Sequence, residues 1–179
     1  MEKGIRLTLL ILFISCSNLK DNISVSKKQN KTVIIKDTIL SCPQNGICKI
    51  ETIKNKSLLI RKDDLNGIYY QTEDNVMFSI IKFTYTKDTP KNVQDGNYIE
   101  EIVLQIQNDI SELNLTDSEL QNCKILFGKH CFCKGEAGYY NIEKGKLEFH
   151  KENNTNILKL EFQVNTTSQK ITTINAVFK

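Results

Sequence analysis

The chain has 179 residues, 24 Lys and Arg against 21 Asp and Glu for a net charge of +3, and 40% hydrophobic residues. Basic residues spread along the chain rather than gathered on one face exclude the electrostatic footprint of a nucleic-acid binder. The length is enough for a single domain with a real core. No repeat of fixed period is visible.

In chain order, residues 1–15 begin with Glu2, Lys3 and Arg6 and continue into the mostly apolar Leu7-Thr8-Leu9-Leu10-Ile11-Leu12-Phe13-Ile14-Ser15, which ends at Cys16. A membrane-crossing helix needs about 20 residues, so this run is too short to span. A basic flank, a short apolar core and a small residue before the cut describe an export signal that is removed. Phe13-Ile14-Ser15-Cys16 resembles the lipobox of bacterial lipoproteins, with Phe13 where that family usually has Leu. The resemblance implies lipidation of Cys16 as a diacylglyceryl thioether, with a palmitate-type acyl chain on its amino group. Each buried methylene contributes about 0.8 kcal/mol, so two or three chains make the attachment effectively permanent. Ser17 stands where an Asp would favour inner-membrane retention, so the resemblance implies delivery to the outer membrane. Lys20-Asp21 is similar to part of the Lys-plus-acidic surface-export signal of Bacteroidetes lipoproteins. The partner implied is the membrane, through Cys16, and the location is the cell envelope, on the periplasmic or surface face.

Residues 16–31 are polar and without period, which reads as a flexible tether. Residues 32–179 read as one all-β domain, an antiparallel meander forming a sandwich or barrel with at most one short helix. Expected strands are residues 32–40, 47–53, 57–62, 68–72 and 76–87. Residues 98–107 follow with period two, placing Ile102, Leu104 and Ile106 inward and Glu101, Gln105 and Gln107 outward. The adjacent Glu100 and Glu101 fall on opposite faces and cannot act as a pair. Thr116 or Asp117 is expected to cap a helical turn over residues 116–122. Strands 138–142 and 146–152 are expected to form a hairpin through Glu143-Lys144-Gly145. Residues 157–164 alternate strictly, and residues 171–178 close the chain. Asn66-Gly67 marks a further hairpin turn, because Asn-Gly readily adopts positive φ. His150 is expected on a wet face.

Five cysteines besides Cys16 would sit in an oxidising compartment, where thiols pair. Five is odd, so at least one stays free or pairs between molecules. Cys42 and Cys48 flank Pro43-Gln44-Asn45-Gly46-Ile47, a loop short enough to bring them within disulfide reach. If Gly128-Lys129 turns the chain, Cys123 lies across from Cys133 or its neighbour, making a second disulfide. Cys131, Cys133 and Cys123 also have the ligand types of a soft-metal site, without the Cys-x-x-Cys knuckles that mark zinc. The pairs Tyr69-Tyr70 and Tyr139-Tyr140 each place one ring toward the core and one toward solvent. There is no Gly-x-Ser-x-Gly elbow, His-Glu-x-x-His or phosphate loop. The sequence therefore points to no catalytic residue and no cofactor. It favours a non-catalytic binding or structural role toward a protein or glycan. The alternatives are a thiol- or metal-dependent redox protein using Cys131 and Cys133 with Cys123, and an inhibitor or immunity protein.

Overall fold

Alternation of apolar and polar side chains forces this chain into sheets, each needing a second layer to cover its apolar face. In this computed structural model the described residues are 37–90, 92 and 95–179. The lipobox with Cys16, the tether and the first part of the strand expected at residues 32–40 lie outside them. The described chain is an all-β sandwich of two antiparallel five-stranded sheets and one short 3-10 helix. One sheet has the order β1 (Thr38–Ile39), β10 (Thr173–Phe178), β9 (Thr155–Gln163), β8 (Lys144–Glu152), β5 (Glu112–Thr116). The other runs β2 (Gly46–Lys62), β3 (Ile68–Lys87), β4 (Tyr98–Gln107), β6 (Leu126–Cys131), β7 (Gly138–Asn141). Phe83, Ile102, Leu104 and Phe127 from the second sheet meet Leu147, Leu158, Leu160 and Ile174 from the first in the main core.

The helix, Asp117–Cys123, begins where the sequence places it. The Glu119 carboxylate accepts both the Thr116 N–H and the Thr116 hydroxyl at 3.0 Å, tying down the first turn. Positive φ at Asn66, Asn153 and Asn154 supplies the two hairpin turns.

Three expectations are corrected. The strands expected at 47–53 and 57–62 are one strand, and those at 68–72 and 76–87 are another, interrupted by a bulge between Lys54 and Lys56. Asn55 takes up the bulge at φ 57°. Beyond it the hairpin curls over the outer face of its own sheet. Leu58, Ile80, Val103 and Leu126 form a second small core there, and the single pairing of Ile68 with Tyr139 joins β3 to β7. Ile102, Leu104 and Ile106 do face inward. Glu101 and Gln105, expected to be wet, lie under this roll at 5% and 6% exposure. Gln105 Oε1 accepts the Leu58 N–H at 2.8 Å.

The second correction concerns Gly128-Lys129, which is not a turn but the middle of β6. A Cβ at Gly128 would stand 2.5 Å from Tyr139 Cε1 and 2.9 Å from Glu101 Cγ. The glycine is there to let the tyrosine lie across the carboxylate. Gly128→Ala should therefore cost about 1–3 kcal/mol through overpacking, measured as a lowered urea midpoint.

Third, β7 and β8 are not a hairpin. β7 pairs with β6, whereas β8 pairs with β5 and β9, so the chain crosses between sheets. Ile142, at the crossing, is fully buried, and its drive into the core outweighs the local turn chemistry.

Candidate functional site

Cysteine placement follows from which strand each residue ends. Cys42–Cys48 is a disulfide with Cα atoms 5.7 Å apart, as its loop implies. It joins the segment after β1 to the start of β2, clipping the edge of one sheet to the edge of the other. Cys133 does not pair with Cys123: it is bonded to Cys131, Cα to Cα 5.2 Å. The reason is geometric. β6 runs straight through Gly128 and Lys129, and at about 3.3 Å per residue it carries its far end well away from Cys123. Cys123 closes the 3-10 helix, is 3% exposed, and has a free thiol that burial pushes up to about 11. The three sulfurs expected to converge on a metal thus do not meet. Among the described residues no group of three or more His, Cys, Asp or Glu is placed to hold one.

The tyrosine pairs meet instead. Tyr70 and Tyr139 form an edge-to-face pair with centroids 5.2 Å apart at the closure of the roll, while Tyr140 packs against the main core. Between them sits Glu101. The Tyr139 hydroxyl donates to Glu101 Oε1, the Tyr70 hydroxyl does so at 3.4 Å, and Lys82 Nζ is 2.8 Å from Oε2. His130, on the outer face beside them, stands 3.7 Å from Oε1 and 5.3 Å, edge-on, from the Tyr139 ring. Burial pushes the Glu101 carboxyl up, but His130, Lys82 and Tyr139 outweigh it and hold it at about 2. Burial, then Glu101, pushes the Tyr139 and Tyr70 hydroxyls up. The carboxylate is fixed ionised and the phenols fixed neutral. Such a cluster is a latch for the roll, since a general acid or base needs a pKa near the working pH.

A second polar cluster plugs one end of the sandwich. Glu100, on the inner face as its parity implies, accepts the N–H groups of Lys170 at 2.6 Å and Ile171 at 2.7 Å, and the Tyr98 hydroxyl. Lys129, its cross-strand partner, is buried. Its Nζ donates to the Glu136 carboxylate and to Ser168 O and Oγ at 3.0 and 2.7 Å. Bonds from Lys129 and Ser168 hold the Glu136 carboxyl at about 2. Sequence reading missed Lys129. The signal was its parity with Phe127 and Cys131, which puts it on the inner face of β6.

Open clefts run along the described residues. One of about 430 Å³ lies between the sheets at the end away from the Lys129 plug, over Ile81, Ile106 and Phe149. Another of about 610 Å³ runs beside β7, along Tyr139, Asn141 and Lys144. His150 is exposed on β8, as expected. No family model matches the chain, and none of the curated proteins or solved structures compared with it does either.

Proposed function

We propose that this chain is an envelope lipoprotein, anchored through Cys16 to the outer membrane, whose β domain binds a ligand without catalysis. The observation that carries the reading is the leader pattern ending in Phe13-Ile14-Ser15-Cys16. Two disulfides among the described residues support export, because such bonds persist in oxidising compartments. The odd cysteine is accounted for by Cys123, a buried thiol that behaves as a small hydrophobe. Glu101 and Glu136, each pinned far below neutrality by its neighbours, favour binding over acid–base chemistry.

Labelling cells with radioactive palmitate tests the anchor: the wild-type chain is expected to take up label and sediment with membranes, and Cys16→Ala to do neither. Thiol counting gives an independent check. Unreduced protein is expected to expose no reactive thiol when folded and one, Cys123, after denaturation. A second thiol in denatured protein would mean that Cys16 carries no thioether.

A second reading keeps the redox alternative without metal and without Cys123. Its basis is the bond between Cys131 and Cys133, which are both partly exposed and bracket Phe132, itself 86% exposed. Exposed disulfides are the labile ones. A small dithiol that reduces this pair in folded protein well before Cys42–Cys48 would favour it; equal resistance would remove it.

A further inference from the structure

The inward-facing stripe of each strand changes character at the end of the sandwich away from the Lys129 plug. On β2 it reads Ile50, Thr52, Lys54, and on β3, in register, Phe83, Ile81, Ser79. On β8 it reads Leu147, Phe149, Lys151, and on β9, opposite, Leu160, Leu158, Asn156. Positions that would continue the core carry cations, a hydroxyl and an amide on four strands at once. At the plugged end, inward polar groups are saturated by one another: Glu100 by main-chain N–H groups, Lys129 by Glu136 and Ser168. At this end Ser79 donates to Asn108 Oδ1 at 2.6 Å, while the side chains of Lys54 and Asn156 make no hydrogen bond with described residues.

Here Lys54 and Lys151 have no carboxylate partner among the described residues, and no Asp or Glu lines the cleft. Lys151 Nζ reaches only the Asn108 carbonyl, at 3.1 Å. Lys179 also stands at the rim, where its main-chain oxygen accepts from the Thr52 hydroxyl at 3.3 Å; the inward-facing cations are Lys54 and Lys151. The side-chain amides of Asn55, Gln107 and Asn156 make no hydrogen bond with described residues. A volume of about 430 Å³ lies within the range of small-ligand sites.

We infer that this cleft binds an acidic sugar, a pyranose carrying one carboxylate or phosphate. The anion sits between Lys54 and Lys151, where the charge is assisted by hydrogen bonding. Amides donate and accept, which matches ring hydroxyls, and the Phe149, Ile81 and Ile106 floor takes the apolar C–H face of the ring. The inference deepens the binding role proposed above and rests on it.

Calorimetric titration of the full-length chain, purified from membranes in detergent, tests the site with glucuronate, glucose 6-phosphate, glucose and inorganic phosphate. One or both acidic sugars are expected to saturate the site at least about tenfold more tightly than glucose or inorganic phosphate. Glucuronate alone would identify a carboxylated source, and glucose 6-phosphate alone a phosphorylated one. Lys54→Gln with Lys151→Gln, and separately the near-isosteric Asn156→Asp, should each weaken binding about tenfold or more, with the thermal midpoint unchanged. Four results would overturn the site: glucose binding equally well, inorganic phosphate matching glucose 6-phosphate, variants that leave binding intact, or no saturable binding by folded protein. A palmitate-labelled chain that binds neither sugar sinks the site and leaves the anchor standing. An unlabelled chain that binds does the reverse.

Discussion

Glu100→Ala is expected to lower stability by about 3–5 kcal/mol, the cost of leaving two or more buried donors without their acceptor. The side chain is fully buried and its carboxylate takes the N–H groups of Lys170 and Ile171. Without it those donors are left unpaired, each costing about 1–3 kcal/mol, and the Tyr98 hydroxyl loses its acceptor. The urea midpoint reads the global loss. Amide exchange reads the local one: the Ile171 N–H should lose protection ahead of the β9 and β10 ladders. A variant less than about 1 kcal/mol destabilised, with Ile171 still protected, would mean that the contact is dispensable.

Acid should unlatch the roll, and Glu101 sets the window. Its folded-state carboxyl is held at about 2 against an ordinary value of 4.5. The folded value is the lower one, so its stabilisation is complete above about pH 4.5 and is lost as pH falls through about 2. The loss is on the order of 2–3 kcal/mol, reduced from the full shift because His130 and Lys82 keep contact with solvent. Glu136 titrates in the same range, so the comparison must be with Glu101→Gln. The wild-type advantage over that variant should hold from neutrality to about pH 4.5 and close by about pH 2. An advantage that does not change with pH would show that Glu101 acts through shape rather than charge.

What was legible in the sequence is what is decided locally. Period two in residues 157–164, the Asn turns, the Thr116 cap and the Cys42–Cys48 loop all need information from a few neighbouring residues. The roll needed more. Alternation states that Glu101, Val103 and Gln105 share a face, but not that another part of the chain will cover it. Val103, apolar on a face taken to be wet, was the one clue. Sheet membership was equally hidden, since Glu143-Lys144-Gly145 has turn chemistry whether the next strand pairs back or crosses over. The Cys131–Cys133 bond depends on Gly128 staying inside β6 rather than turning the chain, and that rests on its pairing with Glu101 on one side and Tyr139 on the other. The open cleft could not be read either, because Lys54, Lys151 and Asn156 come together only when two sheets stack.

Cys42–Cys48 has a mechanical consequence. A pull on the chain from its N-terminal side enters the described residues through β1, which pairs with β10 at Thr38 and Ile39. Pulled from its end, a strand pairing of this kind gives way one hydrogen bond at a time. The sulfur bridge stops the peeling at Cys42 and passes the load to β2, which is hydrogen-bonded along most of its length to β3. Tension then has to shear a long ladder, and a Cys48→Ala chain should come apart from this end at lower force.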